Sequence, residues 1–171
     1  FANGIFKPDA LASGGDTHQP FGRDQWAVFY NKYVVKGSKI SATVLSNATT
    51  PGTGNVAIGI VLGRDIQVPS ITDGLERTAK KPRFITYGNA NAEGVKLGSR
   101  YSAKKFWGLK DAEDDDGQRV LMSANPATGN LAYYNVWGAG TFASGDPVTL
   151  DIIVTIDYAV LLSNPKTPVQ S

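Results

Sequence analysis

Three groups of residues in this 171-residue chain have types and spacings that could do chemistry: a lone histidine, a run of carboxylates, and lysine and arginine clusters set among aromatic rings. His18 is the only histidine and lies in the turn-like stretch THQPFG. A Ser–His–Asp mechanism would need it as base, with a nucleophile and an orienting acid brought to it by the fold. A histidine in a polar turn ahead of a proline reads better as structural or exposed. One histidine and no cysteine also leave zinc and copper sites without a donor set, and the missing cysteines exclude a disulfide framework.

The carboxylate run is KDAEDDDG. Residues 111–116 hold five of the 15 acids, so the remainder of the chain sets 17 bases against 10 acids. An EF-hand beginning at Asp111 would place Asp116 where glycine is needed and Met122 where the bidentate glutamate is needed, so that reading fails. Asp111, Glu113, Asp115 and Asp116 remain candidates for a looser calcium site at a subunit boundary, since carboxylates on a glycine-bearing loop suit a hard cation. A solvated acidic loop is the simpler reading. Asp151 and Asp157 would lie ~20 Å apart on one strand face, too far to be the carboxylate pair of a glycosidase on their own. PGTGNVAIG lacks the Gly-Lys-Ser/Thr ending of a phosphate loop and no helix follows it. The triplet NAT at 47–49 is an N-glycosylation pattern that arises often by chance.

The basic residues form three groups: Arg23, Lys32, Lys36 and Lys39; then Arg77, Lys80, Lys81 and Arg83; then Lys104 and Lys105. Bases interleaved with aromatics suit single-stranded nucleic acid, where rings stack on bases and cations meet the backbone. The competing reading makes the aromatics core and the lysines its solvated rim. Trp26, Phe29, Tyr30 and Tyr33 recur at i, i+3, i+4 and i+7, one face of a helix, which favours core.

The elements that must carry these residues are mostly strands. VTLDIIVTIDYAVLL alternates apolar and polar residues, predicting a long strand with Val148, Leu150, Ile152, Val154, Ile156, Tyr158 and Val160 facing a core. A second long strand is expected over 33–45, with Gly37 as a bulge or a close backbone approach. Shorter ones are expected at 56–62, 83–87, 95–97, 119–122 and 132–136, with another from GIFKP at the start. Two short helices are expected, RDQWAVFY capped by Asp24 and SAKKFW capped by Ser102. Seven or eight strands with two helical insertions read as an all-β, two-sheet sandwich of the Greek-key or jelly-roll kind. No apolar run approaches the ~20 residues of a membrane-spanning helix, so no membrane insertion is expected.

The stretch HQPFGRDQWAVFYNKYVVKGSKI resembles a signature in jelly-roll capsid proteins of small circular, Rep-encoding single-stranded DNA viruses (circovirus-like). The matching positions are His18-Gln19-Pro20, Asp24, Trp26, Tyr30-Asn31-x-Tyr33 and Gly37-Ser38-Lys39-Ile40. AKKFWGLKDAEDDDG and SANPATGNLAYYNVW are similar to the same family more weakly. The resemblance covers about half the chain. It implies a single eight-stranded jelly roll spanning residues 1–171 that assembles with copies of itself into an icosahedral shell around a circular single-stranded DNA genome. Virion localisation follows, with assembly in the host nucleus or cytoplasm, no enzymatic activity and no cofactor beyond calcium at an interface. Such proteins usually begin with an arginine-rich arm that binds the genome. This chain starts at Phe1 without one, so most DNA contact is expected to come from an arm outside these residues, and the body's share from Arg23, Lys32, Lys36 and Lys39. Expected assembly contacts are Trp137, Phe142, Pro165 and Pro168. A carbohydrate-binding sandwich using Trp107 or Trp137 as a stacking platform is the main alternative, and a sandwich hydrolase a more distant one.

Overall fold

A computed structural model describes residues 1–6, 8, 19–46, 55–66, 71–77, 82–86, 94–140 and 150–167. His18, Phe142, Val148, Pro168, Lys80 and Lys81 lie outside these described residues, as do the 47–49 triplet and the PGTG turn. The elements in chain order are α1 (Arg23–Phe29), β1 (Tyr30–Ser46), β2 (Asn55–Gly63), α2 (Ile71–Arg77), β3 (Arg83–Thr86), β4 (Val95–Ser102), α3 (Ala103–Trp107), β5 (Val120–Leu121), β6 (Tyr133–Gly140) and β7 (Leu150–Pro165). The chain is mostly β-strand, in two antiparallel sheets with few helices, and seven strands are present among the described residues. One sheet joins β4, β5 and β7 to β1, and the other has the order β3-β2-β6.

The contacts divide the chain into two compact units: Phe1–Ser38 with Arg100–Tyr133 and Asp157–Ser171, and Lys39–Ser99 with Tyr134–Ile156. In the second unit, alternation along two strands makes the core. Ile40, Ala42 and Val44 of β1 meet Val56, Ile58 and Ile60 of β2, with Leu97, Leu150 and Ile156 packed against them. The opposite face of β2 is buried as well, because Ala57 and Val61 pack on Trp137. Burial on both faces explains why β2 reads as an unbroken apolar run instead of an alternating one. Trp137 therefore sits in the core, on β6, only 5% exposed. It is neither an exposed loop anchor for assembly nor a sugar platform, which corrects both expectations.

Helix α2, ITDGLER, is not among the two expected helices, and the glycine at its centre lowers its helix propensity. The structure shows what that glycine permits. A Cβ on Gly74 would lie 2.7–2.9 Å from the Trp137 ring, so only glycine lets the helix backbone come this close.

In the first unit the described opening residues, 1–6 and 8, form no strand, contrary to the reading of GIFKP; side chains hold them instead. The Asn3 amide donates to Gln118 Oε1 (3.0 Å) and to the Asn130 carbonyl (2.6 Å), and its oxygen accepts the Ala132 N–H (2.8 Å). Ser38 donates to the Ala2 carbonyl, and Tyr158 to that of Phe1. Asn3 is 2% exposed, so this satisfied amide replaces the ladder bonds that a strand would have supplied. Gly37 is the close approach that its position suggested: a Cβ there would meet the Tyr101 carbonyl at 3.1 Å.

Candidate interaction face on the first helix

The helix α1 is built outward from a turn. The Arg23 N–H bonds the Pro20 carbonyl (3.1 Å), and Gly22 adopts φ 81°, the left-handed region that glycine enters without strain. Gly22 is the N-cap, and its carbonyl accepts the Trp26 N–H. Asp24 sits one step inside the helix and bonds Arg23, not a free backbone amide, so it is not the expected cap. At the other end the chain leaves the helix at Tyr30, which is extended. Lys166 then covers the exposed carbonyls, its N–H on Phe29 (2.8 Å) and its Nζ on Ala27 (2.6 Å).

Which side of α1 is buried is decided by Arg23. Its guanidinium bonds Gln19 Oε1 at 2.9 Å and Asp24 Oδ1 at 2.7 Å, and lies 4.9 Å from the centre of the Phe6 ring. It is 8% exposed, with an Nε that has no partner. Turning the Arg23 and Ala27 side inward turns the aromatics outward: Trp26 is 53% exposed, Phe29 60%, Val28 65%, and Phe21 in the preceding turn fully so. Tyr30 is half-buried, its ring 6.3 Å from that of Trp26. Only Tyr33 of the four spaced aromatics is core, and it belongs to β1. The expected helical core face does not exist, because the helix stops at Phe29 and strand geometry takes over.

The four basic residues assigned to nucleic acid are not equivalent. Arg23 is buried and engaged within the protein, which removes it from any exposed cationic surface. Lys36 is exposed but bonded to Glu113, and that hydrogen bond, then the carboxylate's charge, raises its pKa above the usual lysine value. Lys32 is half-buried on β1 where it opposes Leu121. Lys39 is exposed and belongs to the second unit. Lys104 and Lys105 are exposed on α3.

The acidic loop is occupied by its own neighbours. Asp111 accepts the Glu113 N–H (3.1 Å), Asp115 accepts the Gln118 N–H (3.0 Å), and Asp116 pairs with Arg119 (3.0 Å). Among the described residues no group of three or more histidines, cysteines or acids is placed to hold a metal ion. Trp107, the other proposed sugar platform, is half-buried, donates to the Tyr101 hydroxyl (3.0 Å) and stacks edge-on against Phe106. Pro165 is exposed at the end of β7.

A second apolar surface appears on β7. Leu150 and Ile156 pack against the core, yet Ile152, Ile153 and Val154 between them are 46%, 62% and 46% exposed. The expected continuous core face of this strand is thus interrupted. Among the described residues no helix is long and apolar enough to cross a membrane. The sequence matches no protein-family model and none of the curated proteins against which it was compared.

Proposed function

We propose that this chain is a coat subunit of a single-stranded DNA virus, and that its activity is to assemble with copies of itself into a closed shell. The observation that carries the reading is the exposed set Phe21, Trp26, Val28 and Phe29, four large apolar side chains within nine residues. Monomers rarely leave such a patch in water, and burial of one on association is favourable by roughly 25 cal/mol per Å² of apolar surface. It falls inside the stretch with the most specific resemblance to capsid proteins, and the two-sheet, antiparallel architecture is of the kind that a jelly roll requires.

In this reading α1 is a contact element, not a core element. Arg23 pins it from inside, which keeps its aromatic side rigid before association and so limits the entropy lost on binding. Repeated contacts, each of modest area, hold a shell because many act together. Genome contact is assigned mainly to a basic arm preceding these residues, with Lys32 and Lys39 as the body's contribution. The reading assigns no catalytic step and no cofactor.

The test is the particle state of the purified protein, by light scattering after size exclusion and by negative-stain imaging, with and without single-stranded DNA. Uniform closed particles are expected. An 18.2 kDa monomer under every condition, including with the arm restored, overturns the proposal.

A further inference from the structure

Two of the strands that pair with β1 carry opposite charge. Strand β4 pairs with β1 and with no other described strand, as does β7, so each presents one edge of backbone N–H and C=O groups to no described neighbour. Such edges are templates for a further strand. Strand β4 bears Lys96 and Arg100, both exposed, and no acid. Strand β7 bears Asp151 and Asp157, both exposed, and no base. Long edges are usually protected by charge or shortness; β7 has sixteen residues and three consecutive exposed apolar side chains.

We infer that β7 of one copy adds to β4 of the next, continuing the sheet from subunit to subunit. This inference rests on the self-assembly reading above and names its partner as a second copy of this chain. Direction follows from the fold. Both strands run antiparallel to β1, so they run parallel to each other, and a copy added without inversion pairs β7 with β4 in parallel. The faces agree. Val95 and Leu97 pack on the core of their own copy, as do Leu150 and Ile156, which leaves Lys96, Gly98 and Arg100 on the same outer face as Asp151, Ile153, Thr155 and Asp157. With Asp151 beside Lys96, Ile153 falls beside Gly98, where no side chain competes for space. Asp157 then lies one step from Arg100. The contact is heterologous, since two copies of β7 would set like charges together and two copies of β4 would do the same.

A charge swap tests this directly. Asp151→Lys alone and Lys96→Asp alone should each raise the concentration for half-assembly about tenfold, because every β7–β4 contact then sets like charges together. The double variant carrying Asp151→Lys and Lys96→Asp in one chain should assemble nearly as the wild type does, since every reversed edge then meets its complement. Both side chains are exposed, and unchanged circular dichroism and melting temperature verify that the variants fold. Wild type that assembles while the double variant does not, or single variants that assemble normally, overturns the edge pairing and leaves self-assembly standing. Wild type that never assembles overturns both.

Discussion

Tyr33→Phe is the most quantitative probe of how the signature stretch is held. The Tyr33 ring is fully buried; its hydroxyl donates to the Ala124 carbonyl at 2.9 Å and accepts the Ile5 N–H at 3.3 Å. One oxygen thus ties β1 to the N-terminal segment and to the loop after β5. Deleting it strands a buried donor and an acceptor, at a cost of about 2 kcal/mol near neutral pH. The same burial pushes the phenol pKa from 10.0 up to about 12, and the hydrogen bond from Ile5 opposes that only in part. The folded state therefore holds this proton more tightly than the unfolded chain. The stabilisation linked to it is complete below pH 10, and it is lost as pH rises through about 12. At ~1.4 kcal/mol per pH unit, the loss over that window amounts to about 3 kcal/mol. Tyr33→Phe abolishes this loss. The gap between wild type and variant should therefore shrink from about 2 kcal/mol at pH 8 to nothing, or reverse sign, near pH 12. Urea unfolding by far-UV circular dichroism at pH 8, 10, 11 and 12 measures it. A gap that stays constant over that range would refute the account of a dry, doubly bonded hydroxyl.

Trp137→Ala should cost about 3–5 kcal/mol by opening a cavity beside Ala57 and Val61, read as the shift in urea midpoint. Gly74→Ala should also destabilise, because its Cβ meets the Trp137 ring at 2.7 Å; an unchanged midpoint would show that α2 does not approach the ring so closely. Trp26→Ser with Phe29→Ser should suppress assembly in light scattering while costing the monomer less stability than Trp137→Ala, because both side chains are more than half exposed. Variants that assemble normally would remove α1 from the contact surface. For single-stranded DNA, Lys39→Gln should lower the slope of log K against log salt by about 0.7 in anisotropy titrations. Lys36→Gln should lower it less, since Glu113 already meets that charge. A full effect at Lys36 would mean that its pair with Glu113 does not persist in solution.

Local pattern was enough for the existence and type of most elements. A period-2 run located β7, an unbroken apolar run marked β2, and KKFW with Ser102 ahead of it located α3, because such patterns are properties of a few adjacent residues. Apolar character at 3.6-residue spacing misled at α1. Trp26, Phe29, Tyr30 and Tyr33 have the spacing of a buried face, yet a buried arginine with three partners outweighs that pattern. Nothing in the sequence announces that Gln19, Asp24 and Phe6 converge on Arg23.

The sequence by itself determined an all-β chain, free of cysteine, with a basic body and one acidic loop, since these follow from composition and short-range alternation. Only the tertiary structure decided which residues face water. It buried Trp137, exposed Trp26, joined Lys36 to Glu113, 77 positions away, and paired both an acidic strand and a basic one with β1. The physical reason is that exposure and pairing depend on which distant segments are brought together, and local periodicity holds no record of that.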